Sequence, residues 1–572
     1  MHLPFYKAVL LAGLAATVQA AQLAIEVKPV FDGRAMQLDS LKYRTSAGET
    51  IGLSRFGLLL SGFSLQGQDG DWIDMEPYVF IDAAARRYEA RLGNLPAGRY
   101  SAIRFHVGPA PEANHSNPAQ YAANHPLNPV LNNLLWDWQS GYIFLALEGR
   151  YRNPDQAFSG YALHYANDWN RVRIELPLDL DVRDPTTLHL QFDISALLDS
   201  ISLSTDGHIT HSRKNDPLSQ QLKENLPAAF SIAALSSFSA PPVTAEPVEP
   251  LYLPDTYEPY RFTMDRSYPV PPLPRDNPLT TARVELGKKL FNDTLLSRNR
   301  SIGCFSCHAQ ANAFTDARPV SRGVGDATGT LNAMPLFNLA WKQNFFWDGR
   351  APSLRDQVLQ PITNRIELAN DFTTVVDRLQ KHPQYPALFA KAFNPPAPTP
   401  EKISLALEAY LLTLVSGHSR FDEARQGKGK LTPQEARGME LFFTEYDPRT
   451  RQYGADCFHC HGGAFFSDHL FHNNGLEQTD EKGRYKVTRQ ARDRFRFSTP
   501  SLRNVELTAP YMHDGRFKTL EEVINHYTSP MQPSDTLDPN LAKHPRTGLQ
   551  LSESDKAALV AFLKTLTDPQ YQ

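Results

Sequence analysis

Cys304-Phe305-Ser306-Cys307-His308 and Cys457-Phe458-His459-Cys460-His461 are two copies of one pattern, Cys-x-x-Cys-His, in a single chain. On one helical turn, two thiols three residues apart can each add to a vinyl group of a haem, and the next residue, His, lies under the iron. A zinc site would need both Cys pairs to converge and has no use for a His after each. A redox dithiol opens a helix after a strand and needs no trailing His. The repeated pattern therefore predicts two covalently bound c-type haems, held by Cys304, Cys307, Cys457 and Cys460 with His308 and His461 as iron ligands. The chain has only 4 Cys, so no disulfide framework remains. Any other metal site must use His, Met, carboxylate or backbone donors.

A length of 572 residues predicts several domains. The net charge of -4 argues against nucleic acid as a partner and gives no membrane-surface signal. The first twenty residues read as an export signal: Lys7, an apolar core from Ala8 to Val18, and Val18-Gln19-Ala20 as a cleavage site. That apolar run is too short to span a bilayer easily, and nothing else approaches transmembrane length. Export with covalent haem implies the periplasm, with cleavage after Ala20.

The mature chain divides by pattern. Residues 21–238 hold short alternating runs, including Leu23 to Val30, Arg99 to Val107, Tyr142 to Leu147 and Arg171 to Leu176, separated by Gly, Asn, Asp and Pro. They predict an all-β antiparallel sandwich or barrel. The only helical signal there, Leu218 to Leu235, is interrupted by Pro227. Residues 239–274 are a Pro-rich linker, semi-rigid where Pro dominates, that either separates two domains or lies along a surface. From 275 to 572 the pattern is mainly α. Thr281 to Phe291, Ile403 to Val415, Pro433 to Phe443 and Ser552 to Thr565 read as helices, with Thr432 as an N-cap and Pro433 at the first helical position. Each haem motif follows a helix ending in Leu-Phe, at Leu290-Phe291 and Leu441-Phe442, which implies two haem-binding halves, about 275–425 and 426–572.

Several stretches carry a resemblance: Asp276-Asn277-Pro278-Leu279-Thr280, Leu286-Gly287-Lys288-Lys289-Leu290-Phe291, Phe346-Trp347-Asp348-Gly349-Arg350, Ser501-Leu502-Arg503-Asn504-Val505 and Ala509-Pro510-Tyr511-Met512-His513-Asp514-Gly515. Through them, residues 269–572 resemble the bacterial di-haem cytochrome c peroxidase superfamily. No His lies between His308 and His382, so the His that caps the first haem in the ordinary peroxidases is missing; Met334 is the soft side chain available there, read as packing. After Thr519-Leu520-Glu521, where those peroxidases place a Met ligand, stands Tyr527, which resembles the MauG/MbnH branch, whose members oxidise residues of another protein. His526 and Met531 are the alternative ligands. The resemblance implies catalytic roles for Glu367 as distal carboxylate, Trp347 as relay between the haems and Tyr527 as ligand of the second iron. It also implies a calcium ion held by Asn332 with carbonyls near Thr499 and Pro500.

In the N-terminal region, Arg104-Phe105-His106-Val107-Gly108, His125-Pro126-Leu127-Asn128-Pro129 and Leu135-Trp136-Asp137-Trp138-Gln139-Ser140-Gly141-Tyr142-Ile143-Phe144 resemble MbnP, a copper-associated partner of MbnH. That resemblance implies conversion of a Trp to kynurenine and copper held by His residues. Trp136 and Trp138 are the candidates for modification, with core packing as the bland alternative. His106 and His125 are the favoured copper ligands, ahead of His115 and His164. Together these readings predict a periplasmic di-haem oxidoreductase that uses hydrogen peroxide to oxidise a Trp of its own N-terminal domain. One alternative is a cytochrome c peroxidase fed by a small cytochrome or cupredoxin. Another is a non-enzymatic copper-binding or electron-transfer protein.

Overall fold

The computed structural model describes residues 20–75, 77–136, 141–152, 158–237, 248–476, 480–545 and 547–572. Trp138 and the export signal ahead of Ala20 lie outside the described residues. No helix among those described is long and apolar enough to cross a membrane.

The N-terminal region is a β-sandwich. One sheet has five strands, with Thr186–Asp193 and Ala20–Phe31 at its centre and Phe230–Ser237 at one edge. The other has ten, running through Val172–Val182, Gly98–Val107, Thr50–Gly67, Gly141–Arg152 and Phe158–Ala166. Their inner faces share one core; Phe56 meets Phe192 and Phe105 meets Phe230 across it at 5.2 and 5.1 Å between ring centroids. The expectation of antiparallel pairing fails at two places: Ala20–Phe31 runs parallel to Thr186–Asp193, and Phe158–Ala166 runs parallel to Ile209–Thr210. Most of the second sheet lies between Ala20–Phe31 and Thr186–Asp193 in the chain, and the strands Val172–Val182 and Thr186–Asp193 lie between Phe158–Ala166 and Ile209–Thr210, so no hairpin constrains the direction of either pair. The Leu218 to Leu235 segment also differs from expectation. Pro227 sits inside the helix Pro217–Ala229, and the chain then enters the strand Phe230–Ser237.

Val172–Val182 alternates buried and exposed residues along its length, as a strand with one wet face should. Gly141–Arg152 does not: all but its last residue are buried. The register explains why. Ala146, Glu148 and Arg150 pair with His164, Ala162 and Gly160, and these residues form one outward face. The second half of the molecule covers that face. Arg150 donates to the carbonyls of Asp535 and Leu537, and Asn540 donates to Glu148 Oε2 at 3.2 Å. A Cβ at Gly160 would lie 1.9 Å from the carbonyl oxygen of Pro539, so backbone meets backbone there.

The C-terminal region is helical and has two cores, one in each haem-binding half. Thr281–Phe291, Leu354–Thr363 and Pro400–Leu412 build the first; Pro433–Phe442, Leu520–Thr528 and Glu553–Lys564 build the second. Each of these helices starts on a Ser or Thr whose hydroxyl accepts a first-turn N–H: Thr280, Ser353, Thr399, Thr432, Thr519 and Ser552. The two halves use one packing device. A Cβ at Gly287 would lie 1.9 Å from the carbonyl oxygen of Ala406, and a Cβ at Gly438 would lie 1.9 Å from that of Ala558. In each half the helix before the haem motif lies directly on a later helix through a glycine.

The described part of the Pro-rich segment, from Val248 onward, lies along a surface. Leu251 donates to Asp276 O, Trp341 Nε1 donates to Pro269 O, and the Tyr268 hydroxyl donates to Ser416 O. Asn117 and Asn128 of the sandwich donate to the carbonyls of Arg266 and Val270. This segment is therefore a layer within the interface between the regions.

Gly287→Ala and Gly438→Ala are each expected to destabilise the protein by about 1–3 kcal/mol, because a methyl group must push a backbone carbonyl aside. Chemical denaturation of the two variants should show similar losses; a loss at only one position would deny the halves equivalent packing.

Candidate haem centres and the interdomain histidine cluster

Both haem motifs form a short 3-10 turn, Cys304–Ser306 and Cys457–His459, followed by the axial His. His308 Nδ1 donates to Phe314 O at 3.0 Å, and His461 Nδ1 donates to Phe466 O at 3.1 Å. A carbonyl only accepts, so each imidazole carries its proton on Nδ1 and turns a lone pair outward on Nε2. That tautomer is the one an iron ligand needs. Beside His308 lies a cavity of about 350 Å³ bounded by Cys307, Asn332, Met334, Trp347, Arg350 and Glu367. Beside His461 lies one of about 110 Å³ bounded by Cys457, Cys460, His472, Asn474 and Tyr527. Thiols, correctly tautomerised imidazoles and adjoining cavities fit two c-type haems.

Thr499 and Pro500 line both cavities and form their shared wall. Trp347 stands at that wall, with its carbonyl accepting the Ser498 N–H at 2.8 Å and its indole N–H donating to Asn332 O at 2.8 Å. The Asn332 amide donates to Arg318 O and Pro319 O, which fixes which end of the amide is nitrogen and turns its oxygen the other way. In the first cavity, Glu367 Oε1 accepts from Asn364 at 2.6 Å. Burial raises the Glu367 carboxyl above its ordinary pKa, with Asn364 and Arg350 offsetting part of the rise.

Of the three side chains considered for the second iron, Tyr527 lines the cavity, with its hydroxyl 3.3 Å from Asn474 Nδ2. His526 spends Nε2 on the carbonyl of Asn474 at 3.0 Å, and the Met531 sulfur lies against Gly475. Burial raises the Tyr527 phenol.

The histidines of the sandwich separate sharply. His106 is half-buried, with its Nδ1 shielded and unpartnered, but burial and the charges of Arg171, Arg173 and Arg104 push its pKa down to about 4. Those same charges repel a metal cation. His125 stacks on Tyr121 at 4.5 Å and uses Nδ1 to accept the Leu127 N–H. His115 bonds Asp168 at 2.7 Å. The structure does not bring His106 and His125 together with other donors. Instead His164 gathers with two histidines the sequence reading passed over, His211 and His459, with one ring nitrogen of each within 4.8 Å of the others. His164 Nδ1 lies 3.2 Å from His211 Nε2, and Glu445 Oε2 lies 3.0 Å from both His211 Nε2 and His459 Nε2. Around them lie Glu148, which bonds His164 Nε2 and Arg55, and Lys543, which bonds Glu445. His459 sits inside the second haem motif, between Phe458 and Cys460.

Trp136 packs on this cluster. It is 6% exposed, pairs with Gly141, and lies 5.1 Å from His211 and 5.8 Å from His164 between ring centroids. His211 in turn lies 5.6 Å from Phe458 of the haem motif. One signal for this arrangement is present in the sequence: His164 and Glu148 fall on one face once the two strands are paired. His211 and His459 carry none, because docking alone brings them together.

Residues 281–430 match the family described as di-haem cytochrome c peroxidase, and residues 20–213 match MbnP. The methylamine utilization protein MauG of Methylorubrum extorquens is 36% identical over 299 residues, 52% of this chain and 81% of that protein. Cytochrome c551 peroxidase of Pseudomonas aeruginosa is 32% identical over 308 residues, 52% of this chain and 82% of that protein. The crystal structure of a MauG-like protein associated with microbial copper homeostasis aligns at 32% identity and a TM-score of 0.49, covering 55% of this chain and 99% of that one. The chain is thus a c-type haem oxidoreductase of the peroxidase class. It belongs to the di-haem cytochrome c peroxidase family, and carries an MbnP domain ahead of the haem region.

A carboxylate accepts a proton only when ionised, so with Glu367 as the acceptor from peroxide an acid limb of peroxide consumption is expected above the ordinary carboxylate range, with activity falling as pH falls through it. Glu367→Gln is expected to remove that limb and cost about 10²–10⁴ in rate, as measured by peroxide consumption across pH; an unchanged profile would release Glu367 from the role.

Proposed function

We propose that this protein is exported to the periplasm, where it uses hydrogen peroxide to oxidise Trp136 of its own sandwich domain to kynurenine, and that it binds copper beside that residue. The supporting observation is the run of ring contacts from Trp136 through His211 to Phe458, inside the motif of the second haem. Trp136 need not reach either cavity, because His211 links it to the loop that carries the haem thiols.

When bound, the haems supply peroxide reduction and hold the oxidising equivalents. The chain's residues do the rest. His308 and His461 present Nε2 to the two irons, and Tyr527 offers a phenolate oxygen to the second. Glu367 takes the proton from one peroxide oxygen and returns it to the other, the transfer that O–O cleavage requires. Trp347, at the wall between the cavities, is the relay. Asn332 and the carbonyls of Thr499 and Pro500 would hold a calcium ion through hard oxygen donors. For copper, the geometry favours His164 and His211 over His106 and His125, since imidazole suits copper and these two flank Trp136. Likeness to cytochrome c551 peroxidase supports a second reading, in which a small cytochrome or cupredoxin supplies the electrons instead.

Peptide mass spectrometry of the di-haem protein before and after peroxide separates the two. The Trp136 peptide should gain one oxygen and lose one carbon, and Trp136→Phe should abolish the change. An unchanged peptide, with peroxide still consumed when reduced cytochrome is supplied, would favour the second reading.

A further inference from the structure

His164 and His211 come from the sandwich, but the third imidazole of the cluster, His459, comes from the haem region, and so does the carboxylate between them, Glu445. We infer that copper is held between the two domains, by His164, His211 and His459 with Glu445 as a fourth donor, so that the site is complete only when the domains are docked. This rests on the copper-binding part of the proposed function but not on oxidation of Trp136.

The spacing fits a metal. Two nitrogens bonded to one ion at about 2.0–2.1 Å in tetrahedral geometry stand about 3.3 Å apart. His164 Nδ1 and His211 Nε2 stand 3.2 Å apart, and Glu445 Oε2 is 3.0 Å from His211 Nε2 and from His459 Nε2. The second layer is also built. His164 Nε2 donates to Glu148 Oε1 at 2.9 Å, and Arg55 holds that carboxylate at 2.8 Å, which leaves His164 Nδ1 as the lone pair facing the cluster. The side chains of His164, His211 and His459 are 2%, 4% and 2% exposed, so water does not compete for the donors.

The charges fit a cation as well. Three buried carboxylates, Glu148, Glu445 and Asp456, face two fixed cations, Arg55 and Lys543. One negative charge remains, to be balanced by a proton or a metal ion, because a buried charge left unpaired is costly. Three imidazoles, one carboxylate and no thiolate suit copper over the hard cations, and copper leads the divalent series at such a site.

His459 is one of the two variable residues of its haem motif, so His459→Gln leaves Cys457, Cys460 and His461 in place for haem attachment. Full-length di-haem protein, before and after peroxide, is titrated with Cu(I) against a colorimetric chelator, with zinc as competitor. One copper per chain is expected, weakened about tenfold or more by His459→Gln at unchanged haem content. X-ray absorption of copper-loaded wild type should count three imidazoles, a reading that does not depend on the variant folding. The inference is overturned by two imidazoles, by wild-type affinity in His459→Gln, by no retained copper, or by zinc displacing copper at equal concentration. The Trp136 peptide mass, read on the same samples, shows separately whether the oxidation reading fails.

Discussion

The two regions of the molecule close on the carboxylate of Glu445, which is buried and receives Lys543 and His459 from its own region and His211 from the sandwich. Removing a carboxylate from water costs several kcal/mol unless its partners are in place. Burial works against the charge, but His211, Lys543 and His459 hold Glu445 well below the ordinary carboxylate range. Because one of those partners belongs to the other domain, the state in which Glu445 is satisfied is also the docked state. The same junction extends outward through Arg150 of the sandwich, whose guanidinium donates to the carbonyls of Asp535 and Leu537 in the haem region.

Around this junction the haem region repeats itself. Gly287 and Gly438 each let a helix lie on the backbone of a later helix, and each helix leads into a haem motif. The repetition stops at the cavities. The first is large and holds Glu367 with a raised pKa; the second is smaller and holds Tyr527. Equal scaffolds thus carry unequal chemistry, and the half with the smaller cavity supplies His459 and Glu445 to the cluster it shares with the sandwich.

The sequence disclosed most where the information is local. A Cys-x-x-Cys-His pentapeptide contains all its attachment atoms, and Thr280 or Thr432 announces a helix within one turn of itself; the helix Thr281–Phe291 coincides with its expected span. Alternation revealed the strands near 23, 99 and 171. It could not reveal that Gly141–Arg152 is buried on both sides, because the covering surface lies several hundred residues downstream. The copper reading suffered from the same limit. His106 sits in a quotable motif but among arginines, whereas His211 meets His164 and Trp136 only through the folding of the sandwich, and His459 joins them only when the two domains meet.

The connecting segment is bonded to the haem region from Leu251 onward, and the sandwich ends its last strand at Ser237. Thirteen residues, and so fourteen Cα-to-Cα steps, join these points, and at about 3.5 Å a step they span at most about 50 Å. A sandwich that undocks therefore stays within a sphere of that radius, where a single copy amounts to a local concentration of about a few millimolar. Another molecule's sandwich would have to approach that concentration to win the same surface. The chain's connectivity thus makes each haem region the nearest neighbour of one sandwich, without any contact that distinguishes self from neighbour.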